Sequence, residues 1–352
     1  MSNSSFGLDI GVTNIRAVWL DYAKEGFLLK ASAIAPTPPK SVLSESPLDQ
    51  EEMAQAIKNV VDKAKITVKN VNIAFPENQV YTKVIDMPVL SDKELAFSIY
   101  WEAEQYIPVP LPTITLVWNV LKRPEKIEVG STGKMQVLMV GAPTALINKY
   151  QKILSMAGLN IVSIETEILS AIRSLVPFKA NAAFVVPPTT VIISIGAVST
   201  SLAIIKEGIL VFTYSIPIGG IAINRAIESD FGLTLPQAEE YKKTYGFSKE
   251  GVGGKIGKSI EPILTSIAAE VKKSLAFYAQ KYNNQSPIQQ ILLSGGTAKL
   301  PGIDLFFAQD TGIETAIGNP WKVLANQEVP KDIIDGASDY SVAVGLAMKG
   351  YD

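Results

Sequence analysis

Three stretches of the chain run an alternating apolar strand into a glycine turn, and they set its plan. Phe6, Leu8 and Ile10 alternate with smaller or polar residues, Gly11-Val12-Thr13-Asn14 breaks the pattern, and Ile15, Ala17, Val18 and Trp19 resume it. Apolar runs flanking a short glycine-bearing turn predict strand, tight turn, strand. Ile193 to Ile205 (ISIGAVSTSLAII) superposes on Leu8 to Leu20 without a gap. Ile195-Gly196 falls on Ile10-Gly11, and Ser199-Thr200 on Asn14-Ile15. A third apolar strand, in Ile291 to Ile303, runs into Ser294-Gly295-Gly296. One glycine hairpin is ordinary in a buried sheet. Two in register, one per half, predict two related lobes closing on one ligand.

The segments between them read as alternating strands and helices. A strand is expected over Phe27–Ile34, a Pro/Ser-rich loop over Pro36–Pro47, and a helix from Leu48 with Met53, Ile57, Val60 and Val61 on one face. Val71–Phe75 and Gln79–Met87 read as strands ended by prolines. Ser91 to Glu94 is a capping-box pattern, opening a helix with Leu95, Phe97, Ile99 and Trp101 that stops at Tyr106-Ile107-Pro108. Strands over Thr113–Leu121 and Met135–Val140, joined by a charged loop over Lys122–Gly133, and a helix from Pro143 to Gly158 complete a small α+β unit. A strand and the helix Thr166–Leu175 follow. The second half brings strands over Val191–Ile205 and Ile209–Ser215 and a helix from about Ile221 after Pro217-Ile218-Gly219-Gly220. Then come a charged helix Pro236–Tyr245, a mobile glycine-rich loop Phe247–Lys258 and a long amphipathic helix Ser259–Tyr282. The closing helix Tyr340–Lys349 is expected to return to the first lobe, its Ala343, Gly345 and Ala347 permitting close packing.

Composition narrows the chemistry. At 352 residues the chain exceeds the usual single core, and 47% hydrophobic residues suit an ordered globular protein. A net charge of −2 without runs of like charge gives no sign of a nucleic-acid surface. There are no cysteines and no histidines, which removes disulfides, thiolate nucleophiles, histidine bases and histidine metal ligands together. No signal peptide precedes Phe6. Ala180 to Ile205 is uncharged and long enough to span a bilayer, but Pro187-Pro188 and the hairpin turn would strand backbone groups in lipid. Buried strands are the better reading.

Asp9 ends the first strand beside Gly11, where backbone can approach a ligand closely. Thr13, Asn14 and their N–H groups suit a phosphate, and an adjacent carboxylate suits the hydration shell of Mg²⁺. The same residues also describe a plain buried hairpin with an Asp-initiated turn. Gly219-Gly220 at a helix start is a candidate anion site, or simply a loop that needs glycine. Glu239 and Lys242 also read as a solvated surface ion pair, and Glu165 and Glu167 as acids favoured at a helix N-terminus.

The order phosphate hairpin, second phosphate hairpin, Gly-Gly turn resembles the actin-like ATPase superfamily. Asp9-Ile10-Gly11, YWEAEQYIPVPL (Tyr100–Leu111), IPIGGIAIN (Ile216–Asn224), QAEEYKKTYG (Gln237–Gly246) and SGGTAKLPGI (Ser294–Ile303) resemble, within it, the PilM family of type IV pilus assembly proteins, related to FtsA. The resemblance implies an α/β, actin-like (ribonuclease H-like) two-lobed ATPase fold with an inserted α+β subdomain in the first lobe. The first lobe is then residues 1–185 plus 339–352, with the insert at 78–158. The second lobe is 186–338, with a helical subdomain at 221–285.

Nucleotide (ATP or ADP) is expected at Asp9, Gly11, Thr13, Asn14, Gly196, Ser199, Gly219, Gly220, Glu239, Lys242, Gly295 and Gly296, with Mg²⁺ held through water by Asp9. Glu165 takes the place facing the γ-phosphate. The neutral Ser194 stands where relatives carry a second aspartate, which implies weak or absent hydrolysis. The implied role is a cytoplasmic adaptor, peripheral on the inner-membrane face. It binds the N-terminal cytoplasmic peptide of PilN near Trp101, Tyr106, Ile107 and Pro108, in a groove between the first lobe and the insert. Self-association is an open expectation. An FtsA-like polymerising filament protein and a small-molecule kinase of the same fold are the alternatives.

Overall fold

The structure, a computed structural model, describes residues 4–24, 26–40, 44–124, 133–176, 187–247, 251–283, 285–325 and 329–351. Residues 125–132 of the expected charged loop, 180–186 of the uncharged run and 248–250 of the expected glycine-rich loop lie outside them.

The first sheet holds β1 (Ser5–Ile10), β2 (Asn14–Ala23), β3 (Gly26–Pro36), β4 (Asn70–Phe75) and β8 (Asn160–Thr166), in the order β3-β2-β1-β4-β8. The second holds β9 (Thr190–Ile195), β10 (Thr200–Lys206), β11 (Ile209–Ile216), β12 (Gln290–Ser294) and β13 (Thr315–Ile317), in the order β11-β10-β9-β12-β13. The two sheets share one plan. A three-stranded antiparallel meander is extended from its first strand by two parallel strands. The duplicated sequence is thus a duplicated topology, with β1 matching β9 and β4 matching β12. Their central strands are buried on both faces: β9 accordingly reads as a nearly unbroken apolar run, while β1 buries Ser5, Gly7 and Asp9 between its apolar residues.

Helices form the layers between and outside the sheets. α1 (Pro47–Lys63) and α3 (Thr144–Met156) cover the outer face of the first sheet, where Met53, Ile57, Tyr150 and Leu154 meet Phe6 and Leu8. α5 (Gly220–Phe231), α6 (Leu235–Tyr245), α7 (Gly251–Lys281) and α8 (Ile303–Thr311) flank the outer face of the second. α4 (Glu167–Leu175) and the C-terminal helix α10 (Ser341–Met348), which follows the short α9 (Lys331–Asp335), form the middle layer. Every residue of α10 is buried, because it is walled by β1, β2 and α4. That requires small residues. A Cβ on Gly345 would lie 1.8 Å from the Ser170 carbonyl oxygen, and one on Gly7 2.2 Å from that of Ala343.

One expectation is corrected here. The segment read as a mobile loop up to Lys258 is helical from Gly251. Ile256 and Ile260 are fully buried in the second lobe's core, and this packing outweighs the poor helix propensity of Gly251, Gly253 and Gly254. The insert, made of β5 (Tyr81–Pro88), α2 (Asp92–Tyr106), β6 (Ile114–Lys122) and β7 (Lys134–Pro143), lies within the first lobe's sequence but leans on the second lobe. Val84 and Leu138 pack with Ile192, Ala203, Ile205 and Leu210.

Candidate functional site

The two hairpin turns are built by the same bond. Gly11 donates its N–H to the Asn14 carbonyl at 3.1 Å, and Gly196 donates to that of Ser199 at 2.9 Å. Thr37, the residue after β3, braces the first turn: its hydroxyl donates to the Gly11 carbonyl at 2.7 Å and its N–H to that of Thr13 at 3.0 Å. Both turns open onto one cleft between the lobes. Asp9, Gly11, Thr13, Asn14, Gly196, Ser199, Gly220, Glu239, Lys242, Gly295 and Gly296 all line it, together with Ser194.

The far wall is shaped by close approach. Gly295 has φ +84°, and a Cβ there would lie 2.6 Å from the Ile195 carbonyl oxygen, so glycine is required on both counts. A Cβ on Gly220 would lie 2.5 Å from Thr297 Oγ1 and 3.3 Å from Lys242 Nζ. Lys242 is buried with its ammonium 2.6 Å from Glu239, which also accepts from Asn224 and pairs with Lys243 at 3.1 Å. Burial alone would raise the Glu239 carboxyl. The hydrogen bond and charge of Lys242, with Asn224 and Lys243, outweigh it and bring the carboxyl down to about 2. This pair is a fixed, largely desolvated part of the wall rather than a solvated surface pair.

The floor of the cleft sets Asp9 and Glu167 among charges brought in from distant segments. Arg16 is buried, 3.4 Å from Asp9 and 3.7 Å from Asp339, and Asp339 in turn meets Lys299 at 2.5 Å. Asp9 is raised by burial, against the lowering effect of Arg16. Glu167 is pushed well up by burial and by the charges of Asp9 and Glu77. Buried Glu77 accepts from the Ile168 N–H at 2.8 Å, capping α4, and from the Ser201 hydroxyl at 3.2 Å, so it joins the first lobe to β10. One guanidinium faces Asp9 and Glu167 at the floor, and a hydrated divalent cation there would favour the ionised Asp9 carboxylate. Among the described residues no three acidic, histidine or cysteine side chains converge into a direct metal cage.

Other predicted residues lie elsewhere. Glu165 does not reach the cleft. Its carboxylate takes Arg173 at 2.5 and 2.9 Å, Lys349 at 2.7 Å and the Ser170 hydroxyl, so it ties α4 to the chain's C-terminal turn. The acid at the cleft is Glu167, because β8 runs to Thr166 and the helix starts one residue later than the spacing suggested. Nor is the start of α5 an open anion site. Gly220 and Ile221 donate their N–H groups to the Gly196 and Ala197 carbonyls at 2.8 and 2.9 Å, and a Cβ on Gly219 would lie 2.7 Å from that turn. The helix start docks onto the second hairpin instead.

On the insert, Trp101 is 73% and Phe97 77% exposed, Tyr106 is half-exposed, and Ile107 is buried in the insert's own core. Ile107, Pro108 and the prolines that follow line a cavity of about 380 Å³. No helix among the described residues is long and apolar enough to cross a membrane. Arg16 left a signal in the sequence, a lone charge inside the apolar run Ile15–Leu20 whose counterpart in the second copy is Ser201. Glu77 and Asp339 left none, since their partners come from distant segments.

This chain is similar to known proteins over nearly all its length. It aligns with the solved structure described as the PilM-PilN type IV pilus biogenesis complex at 27% identity and TM-score 0.85, covering 99% of both chains. Cell division protein FtsA of Streptococcus pneumoniae is 22% identical, over 84% of this chain and 71% of FtsA. MreB5 of Spiroplasma citri, solved bound to ADP, matches at 16% identity and TM-score 0.51, over 97% of this chain and 94% of MreB5. The fold is therefore actin-like and two-lobed. Residues 7–351 match the family described as type IV pilus assembly protein PilM, and the chain belongs to that family.

Proposed function

We propose that the chain is a nucleotide-binding adaptor of the type IV pilus assembly platform, working at the cytoplasmic face of the inner membrane through its partners. The observation that carries this reading is that both hairpin turns and the Gly295-Gly296 turn line a single interlobe cleft. The duplicated turns would flank the polyphosphate of ATP or ADP, and the Glu239–Lys242 wall would meet the nucleoside. Mg²⁺, when bound, screens the polyphosphate's charge, and Asp9 would hold it through water. With Glu165 locked in ion pairs away from the cleft, burial pushing the Glu167 carboxyl that lines it well up, and Ser194 neutral, binding dominates over turnover.

The adaptor's partner is the N-terminal cytoplasmic peptide of a PilN-like membrane protein. Its support is the 27% identity, over 99% of both chains, to a PilM solved with PilN, together with the apolar turn at Ile107–Pro112, which follows exposed Tyr106, and exposed Trp101 on the same helix. An extended peptide there gains main-chain bonds and side-chain pockets.

Calorimetry with ATP and ADP tests the first part. Lys242→Gln should weaken binding about 10- to 100-fold, the range expected for one charge-assisted bond. Magnesium-dependent turnover at an ordinary enzyme rate, abolished by Asp9→Ala, would refute the binding-only reading. Titration with the PilN peptide tests the second part: Trp101→Ala together with Tyr106→Ala should weaken it, and unchanged affinity removes those residues from the groove. Sedimentation with nucleotide separates the adaptor from a polymerising protein.

A further inference from the structure

A second cavity, of about 440 Å³, lies outside the interlobe cleft, on the seam between the insert and the second lobe. Each side supplies two lysines and one acid. The insert brings Lys122, Lys134 and Asp86; the second lobe brings Lys206, Lys281 and Glu207. The closest ion pair of each acid crosses the seam. Lys281 sits 2.9 Å from Asp86, and Lys122 3.2 Å from Glu207.

That pairing leaves one lysine on each wall. Lys134 has no ion-pair partner among the described residues. Lys206 reaches Glu207 only at 4.0 Å, an acid already engaged by Lys122, and rests over the Tyr282 ring at 4.5 Å from its centroid. Lys281 flanks the same ring at 5.7 Å, so two ammonium groups crowd one aromatic side chain. The Tyr282 hydroxyl accepts from Gln136 of the insert at 3.1 Å, a third bond across the seam. Among the described residues that line it, the cavity thus holds two positive charges in excess, in a chain whose net charge is −2.

We propose that this seam binds a small multivalent anion of the oligophosphate class, bridging Lys134 of the insert and Lys206 of the second lobe. The two closest ionic bonds here, Lys281–Asp86 and Lys122–Glu207, cross the seam, and an anion with charge on two or more separated oxygens extends the pattern. A monovalent anion would neutralise one wall and leave the other. Lysine suits such a ligand as a compact point charge on a flexible stem. The bound anion would fasten the insert to the second lobe. This site shares no residue with the cleft, so it stands apart from the nucleotide reading.

Calorimetry of the intact chain with sodium tripolyphosphate, without divalent cations, tests the proposal. Binding should weaken with added salt, fall at least tenfold in K134Q/K206Q, and return in K134R/K206R. Mass spectrometry of lysine acetylation should show Lys134 and Lys206 protected by tripolyphosphate, a readout that needs no variant. Absence of binding overturns the proposal. So does binding that leaves both lysines unprotected, or that survives K134Q/K206Q and is lost in Lys242→Gln, which would place the anion in the cleft alone.

Discussion

At the scale of single residues, the cleft spends stability on charge. Asp9 and Glu167 face each other's field at the floor with Arg16 as the near counter-charge, and burial raises both carboxyls. For an acid whose folded value is raised, the folded state holds its proton longer than the unfolded state. Stability is then unpenalised below the ordinary value of 4.5 and declines as pH rises through the raised one. Glu167→Gln removes the penalty. Urea midpoints should be higher for the variant at pH 7.5 and should converge with the parent near pH 4, while a lower midpoint at pH 7.5 would refute the assignment. Glu239 has the opposite sign. Its carboxyl lies at about 2 against an ordinary 4.5, so its contribution is present above 4.5 and is lost as pH falls towards 2. Glu239→Gln should therefore lower the urea midpoint at neutral pH, with the deficit shrinking below pH 4.5.

At the scale of elements, α10 shows what small residues do. Gly345 lets the helix touch α4 at backbone distance, and an added methyl has no space. Gly345→Ala should cost about 1–3 kcal/mol, the range for overpacking a filled core, and lower the urea midpoint without changing the slope. This contact was legible beforehand, because Ala343, Gly345 and Ala347 repeat in an apolar run with no other use for glycine. The hairpins were legible for a related reason: a strand's period and its turn are local, and the duplication doubled the signal. Glu165 was misplaced because Arg173 and, from the far end of the chain, Lys349 hold its carboxylate, and no local pattern announces the Lys349 pairing. The start of α7 failed differently. Ile256 and Ile260 become helix-forming only against a core assembled from β9, β12 and α5. Long-range ion partners such as Asp339 for Arg16, distant in sequence, are invisible to any window.

At the scale of the whole molecule, the cleft and the insert are mechanically linked. Glu77, which follows β4, caps α4 and reaches Ser201 of β10, and the insert's Val84 and Leu138 share a core with the second sheet. A ligand held by both lobes stabilises the chain by mass action, about 2.7 kcal/mol at a hundredfold excess over Kd. ATP should therefore raise the melting temperature, and chelating Mg²⁺ should reverse part of the rise. The same geometry bears on the partner. Any movement of the second lobe toward the first must carry or shear the Leu138 contact, so the proposed peptide turn at Ile107–Pro112 and the cleft are joined through one packed block. If they are coupled, linkage requires the effect to be reciprocal: nucleotide changes peptide affinity by the same factor as peptide changes nucleotide affinity. Leu138→Ala should cost about 2–5 kcal/mol as a core truncation and should shrink that factor towards one, while each ligand alone still binds. Equal factors in the parent that persist unchanged in Leu138→Ala would show that the coupling runs through the first lobe instead.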